Sequence, residues 1–434
     1  MDHITLSLLL LTVLCLLLGS GLWIALALAG TGYIAMLVAN PSPGLFLASA
    51  YWESTGSWTL AALPMFVWMG EILFRTKLSE ELFNGLAPWV RRVPGRLLHV
   101  NILACGIFGS VSGSSAATCA TVSRIALPEL RRRGYDESIS IGSLATAGTL
   151  GIMIPPSIIM VIYAVAAEVS IVRVFIAGLL PGLLVMLLFS GYIIIWALLN
   201  PDKQPPPEPR LSFMEKLRAS SQLIPCGLLI IGVIGTMFIG WATATEAAAF
   251  GVLGSLILAG VTGTLSFRSF FESLAAATRL SCMILFILAG AAFLTKAMAL
   301  TGIPNALAQQ VASAGLGPYA IIAILTGVYV ILGMALDGVS MIVLTTSVVI
   351  PIVQLAGFDL VWFGIFIVLL VEIAEITPPL GFNLFVMQTM TGKEQTEVAW
   401  ASMPFFLMLV ITVVLITLFP VTLVTGLPEW LLAR

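Results

Sequence analysis

The sequence predicts an all-α integral membrane protein: about ten to eleven transmembrane helices plus two re-entrant helical hairpins, arranged as two inverted-topology repeats. Three observations predict it. The 434-residue chain is 59% apolar and only 9% charged, a composition outside the range of soluble domains. Apolar runs long enough to cross a bilayer recur from end to end, and about 20 residues make one span. Motifs from the first half return in the second at a fixed offset. Helical-length runs, rather than weak alternation, exclude a β-barrel.

Charge and cysteine usage narrow the function. A net charge of −2 leaves no basic face for nucleic acid, and Lys and Arg gather in short loops. Cys15, Cys105, Cys119, Cys226 and Cys282 lie in apolar segments without paired or metal-ligand spacing, so they read as small core residues. His3 and His99 join no constellation, and neither a zinc-protease motif nor a phosphate-cradling loop occurs. The apolar run from Ile4 lacks a positive flank and a cleavage motif, which makes it a retained first helix. Its flank is Met1-Asp2-His3.

The one proline-rich polar stretch, residues 200–220 with Pro205, Pro206, Pro207 and Pro209, reads as a linker between halves. Pro128 and Pro351 stand 223 residues apart, as do Gly134-Tyr135-Asp136 and Gly357-Phe358-Asp359, and Pro155-Pro156 and Pro378-Pro379. Phe74-Arg-Thr-Lys77 matches Phe293-Leu-Thr-Lys296 at nearly that offset. The first repeat is therefore 1–199 and the second 221–434. Loop charge orients them, because Lys- and Arg-rich loops stay cytoplasmic. Arg91, Arg92 and Arg96, then Arg131, Arg132 and Arg133, mark cytoplasmic loops in the first half, whereas their counterparts at 301–318 and 354–359 hold no Lys or Arg. The halves are thus inverted, with a cytoplasmic linker (Lys203, Arg210, Lys216, Arg218) and a periplasmic N-terminus. Inverted repeats place their site at the midplane where they meet.

Two kinds of segment are not plain spans. Residues at about 97–127 are apolar but interrupted by Gly109-Ser-Val-Ser-Gly-Ser-Ser-Ala-Ala-Thr118, with both ends cytoplasmic, so the chain enters and returns as a hairpin with its tip near Ser110–Ser115. Its repeat at about 318–351 carries Gly333-Met-Ala-Leu-Asp-Gly-Val-Ser340, with the tip near Asp337. A broken helix follows each, at about 139–168 around Ile154-Pro155-Pro156-Ser157 and at about 361–390 around Thr377-Pro378-Pro379-Leu-Gly381-Phe-Asn383. Adjacent prolines remove two backbone donors and leave carbonyls one turn earlier unused. Such carbonyls, with hydroxyl and amide oxygens, suit a hard cation, while half-helix N-termini face a carboxylate. One hairpin tip and one broken helix make one site, and the repeat makes two.

Each motif also has a structural reading. Small residues in membrane helices usually serve close packing, but Ser110, Ser112, Ser114, Ser115 and Thr118 crowd a reversal that precedes a broken helix. Asp337 is an ionisable group in an apolar segment and points to an ion or substrate path, or else caps a tip wetted by water. Glu372 and Glu375 share a helix face, where they form a cavity wall or pair with a cation such as Lys296. Glu246, in Thr243-Ala-Thr-Glu246, reads as half of a capping box.

Together these motifs resemble the large membrane subunit of tripartite ATP-independent periplasmic (TRAP) transporters. The resemblance rests on Gly109–Thr118, Gly151-Ile-Met-Ile-Pro-Pro-Ser157, Ala242-Thr-Ala-Thr-Glu-Ala-Ala-Ala249 and Ile376-Thr-Pro-Pro-Leu-Gly-Phe-Asn383, and covers essentially the whole chain. It implies an elevator-type transporter, not an enzyme, of the bacterial inner membrane, with no organic cofactor. It implies sodium ions as coupling ions, two or more, and a small organic carboxylate such as a C4-dicarboxylate, sialic acid or keto acid. The implied partners are a small four-helix membrane subunit, expected as a separate chain, and a periplasmic substrate-binding protein. Carried over by position, Ser110, Ser112, Ser114 and Ser157 resemble one sodium site, and Asp337, Gly338, Thr377 and Asn383 the other. Ser115, Pro156, Pro379 and Gly381 are expected at the substrate. The alternatives are a stand-alone sodium-coupled anion carrier, a channel, and a membrane-embedded enzyme, which needs a catalytic partner that Asp337 lacks.

Overall fold

A computed structural model describes residues 3–39, 42–206, 211–313, 315–334, 336–379 and 381–432. Pro207, Pro209 and Arg210 of the linker and Met1 and Asp2 of the N-terminal flank lie outside the described residues. Among the described residues every regular element is helical. Five helices are long and apolar enough to cross a membrane: Ile171–Leu199, Ala244–Val261, Phe267–Thr301, Gly338–Leu355 and Gln395–Leu418. Three bent pairs qualify if each counts as one span, and shorter apolar helices such as Thr5–Gly19 and Ile24–Val38 accompany them.

Glycines set the closest helix crossings. The 35-residue helix Phe267–Thr301 packs along Ile24–Ala39, and a Cβ at Gly290 would sit 2.5 Å from the Ala25 carbonyl oxygen. Ala62–Phe74 meets Ala244–Val261, whose Gly251 faces the Met69 sulfur. The second hairpin and the first broken helix pack around another helix. That central helix is Leu360–Glu375, buried at every residue from Val361 to Ala374, as expected of a helix apolar on nearly all sides. Phe358, Trp362 and Phe366 stack along one of its faces.

The recurring motifs do the same local work in both halves. Gly134 (φ 78°) and Gly357 (φ 80°) end a helix in the left-handed conformation that glycine adopts without strain. Two residues later Asp136 accepts from the Ile139 amide at 3.1 Å, and Asp359 from the Trp362 amide at 2.9 Å, each capping a broken helix. Glu246 closes its capping box as the sequence reading has it: its carboxylate accepts from the Thr243 amide at 2.8 Å, and its own amide donates back to Thr243 Oγ1 at 3.3 Å.

Candidate functional site

The first hairpin runs up Leu98–Ser112, reverses at Gly113 (φ 61°) and Ser114, and returns along Ser115–Arg132. Ser114 caps the returning limb by accepting from the Ala117 amide at 3.4 Å. Ser112 Oγ and Thr118 Oγ1 lie 2.7 Å apart, and Thr118 Oγ1 also reaches the Ser114 carbonyl at 2.7 Å. The tip thus closes on itself. Ser110, buried, donates to the Ile107 carbonyl at 2.7 Å. The chain breaks next at Ile154–Ser157, between Glu137–Met153 and Ile158–Ala166, which diverge by 43°. Ser157, 1% exposed, caps the second limb and donates to the Ile152 carbonyl at 2.6 Å.

The structure brings this tip and this break together. A Cβ on Gly151 would lie 2.7 Å from Thr118 Oγ1 and 3.1 Å from the Ser114 carbonyl oxygen, and one on Gly109 would lie 2.5 Å from Gly151 Cα. Bare backbone at both positions is what lets the elements touch. The tip that carries Ser110, Ser112 and Ser114 thus packs on the break, and a Cβ on Gly113 would lie 3.3 Å from the amide nitrogen of Ile158, the residue after Ser157.

The second hairpin, Pro318–Gly333 and Gly338–Leu355, reverses before Asp337. Asp337 lies 223 residues beyond Ser114 and fills the same capping position. Its carboxylate accepts from the Val339 and Ser340 amides at 3.1 and 3.3 Å and from the Ser340 hydroxyl. The residue is exposed rather than deep, and it borders a cavity of about 300 Å³ shared with Gly333, Gly338, Glu375, Phe382 and Phe385. Gly338 is packed so that a Cβ would meet Val371 at 2.5 Å. Thr377, at the second break, donates to the Ile373 carbonyl at 2.6 Å, and its own carbonyl accepts from the Gly381 amide at 3.0 Å. The segment Pro378-Pro379 is solvent-exposed, whereas Pro156 is buried. Both Pro-Pro peptides are cis. Ala335 and Leu380 lie outside the described residues.

Two contacts were not legible in advance. Asn383, wholly buried, donates from Nδ2 to Ser115 Oγ and to the Ala145 carbonyl, both at 2.9 Å. This ties the second broken helix to the first hairpin and the first broken helix, while Asn383 Oδ1 has no donor. The sequence marked both Asn383 and Ser115 as polar residues in apolar runs but held no sign that they meet. Lys296 joins Glu53, not Glu372 or Glu375, so the expected pairing with the latter two is corrected. The reason is geometric: Lys296 and Glu53 both border a separate cavity of about 380 Å³ that includes Thr295, Thr346 and Glu168. His99 is buried with a ring nitrogen 2.7 Å from the Pro94 carbonyl, a core role. Among the described residues no group of three or more His, Cys, Asp or Glu side chains is placed to hold a metal.

Comparison with known proteins agrees with this architecture. Residues 9–422 match the family model described as "Tripartite ATP-independent periplasmic transporter, DctM component". The C4-dicarboxylate TRAP transporter large permease protein DctM of Pseudomonas aeruginosa is 33% identical over 92% of this chain and 93% of its own length. The ectoine/5-hydroxyectoine large permease protein UehC of Ruegeria pomeroyi is 34% identical over 83% and 84%. The sialic acid permease protein SiaT of Haemophilus influenzae is 28% identical over 87% of this chain but 61% of its own. Among solved structures the YdaH transporter of Alcanivorax borkumensis superposes with a TM-score of 0.64 over 94% of this chain and 96% of its own at 12% identity, a likeness of fold alone. With its hairpins, broken helices and near-complete alignment to permease subunits, the chain belongs to the DctM component family, the large permease subunits of TRAP transporters.

Proposed function

We propose that this permease carries a small organic carboxylate inward on a sodium gradient, by an elevator movement of the hairpin-bearing helices against the remaining ones. A periplasmic binding protein delivers the solute, and a small four-helix membrane subunit completes the scaffold. The observation that carries the reading is the paired construction of hairpin tip and broken helix in each half. Ser110, Ser112, Ser114 and Ser157 are assigned to one sodium ion and Asp337, Gly338, Thr377 and Asn383 to a second. Several of these hydroxyls donate to nearby carbonyls, which leaves their oxygen lone pairs free to accept a cation. Asp337 supplies the one formal negative charge. Ser115, Pro156, Pro379 and Gly381 border the adjoining solute path. Relatives named for C4-dicarboxylates, ectoines and sialic acid support a small carboxylate-bearing solute. The helical spans support the inner membrane, and loop charge supports a periplasmic N-terminus.

Uptake of radiolabelled organic acids into proteoliposomes holding this chain and a candidate small subunit tests the reading. Uptake that needs both an inward sodium gradient and the binding protein supports it. Sodium-driven uptake without the binding protein replaces it with a stand-alone carrier.

A further inference from the structure

Among the described residues Glu372 is the acid whose two carboxyl oxygens are both buried without a partner. It is 0% exposed in the last turn of the central helix, and neither carboxyl oxygen has a hydrogen-bond donor. A carboxylate in such a setting is strongly disfavoured unless paired. The charged and titratable groups on the elements packed around Leu360–Glu375 offer no pairing. Tyr163 donates to the Leu360 carbonyl at 2.6 Å, and Tyr329 is bonded to Thr345 at 2.6 Å. Tyr192 lies against Phe405. Arg173 and Tyr319 are exposed, and Glu397 is engaged by Lys393. The titratable group that Glu372 faces is Glu375, another acid, which in turn faces the Ser115 hydroxyl, Asp337 and Cys119.

A second observation is that the neighbouring acid is also incompletely accommodated. Glu375 Oε2 is also buried without a partner. The cavity of about 300 Å³ reaches Glu375, one helical turn from Glu372.

We propose that Glu372 is a proton-binding site: in this conformation its carboxyl is the neutral acid, holding a proton taken from cavity water, one O–H bond formed on the carboxylate as one breaks on hydronium. The site is distinct from the sodium positions assigned above and does not rest on them. Its proton removes a charge for which the groups named above supply no cation.

Infrared spectroscopy of the full chain in lipid, at neutral pH in sodium-free buffer, tests this without any transport step. The carbonyl stretch of a protonated carboxylic acid, shifted by deuterium exchange, is expected in the wild type and lost in Glu372→Gln. Absence of that band from the wild type, or its survival in Glu372→Gln, overturns the proposal. Should the Gln variant fail to fold, Glu372→Asp is expected to move the band, and an unmoved band overturns it equally.

Discussion

Replacing Asn383 tests how the two halves are joined. The amide is 0% exposed and gives two 2.9 Å hydrogen bonds to elements 268 and 238 residues earlier. Interhelical hydrogen bonds in membrane proteins contribute about 0.6 kcal/mol on average and up to about 1.7 by double-mutant cycles. Two such bonds and the packing of the amide place Asn383→Ala at a loss of about 2–3 kcal/mol. Ser115→Ala removes one of the two bonds and costs about 1 kcal/mol. The double mutant isolates the pair, and the expected coupling is about 0.5–1.5 kcal/mol. Reversible unfolding in mixed micelles of lipid and denaturing detergent, followed by tryptophan fluorescence, measures all four corners of the cycle. Losses that add to within about 0.3 kcal/mol would falsify the claim that Asn383 and Ser115 hold the halves together.

Further expectations follow from other contacts. Gly109→Ala places a methyl 2.5 Å from Gly151 Cα, backbone against backbone, and is expected to cost about 1–3 kcal/mol, seen as a lower melting temperature. Gly44→Ala, with nothing within 4 Å, should leave that temperature unchanged. Asp337→Asn keeps the cap acceptor but removes the charge, and is expected to abolish sodium stimulation of uptake in folded protein. Unchanged sodium dependence sinks that assignment. Glu246→Ala breaks the capping box and should cost about 1 kcal/mol with transport retained per folded molecule. At the loop end of the first hairpin, hydrogen bonds from Arg132 and then Arg133 hold the Glu129 carboxyl below its usual range. Its contribution is therefore full above the ordinary carboxylate pKa and fades as pH falls through the lowered value. Being near the surface, it is worth under about 1 kcal/mol, so Glu129→Gln should slightly flatten the acid limb of a stability-versus-pH curve.

The helical membrane class was legible because bilayer thickness imposes a length on apolar runs that composition cannot hide. The breaks at Pro155-Pro156 and Pro378-Pro379 were legible because proline acts locally, through its missing amide. The capping roles of Asp136, Asp359 and Glu246 were readable or recoverable for the same reason: a cap is decided within four residues. Side-chain partners were less so. Lys296 had several acids in reach by sequence, and only tertiary placement selects Glu53. Asp337 shows the other limit, since hydropathy registers a charge in an apolar run and leaves open whether it lies deep or, as found, exposed beside a cavity.

The Asn383 contact also has a consequence in time. Ser115 leaves the ribosome 268 residues before its partner, which at about 5–20 residues per second is roughly 10–50 s of synthesis. During that interval the first hairpin has to remain inserted without the amide that later locks it. The hydroxyl contacts from Ser112 to Thr118 and from Thr118 to the Ser114 carbonyl need nothing beyond the hairpin itself. They equip the nascent tip to wait in the membrane with its polar groups already satisfied, so that the later half docks onto a finished surface.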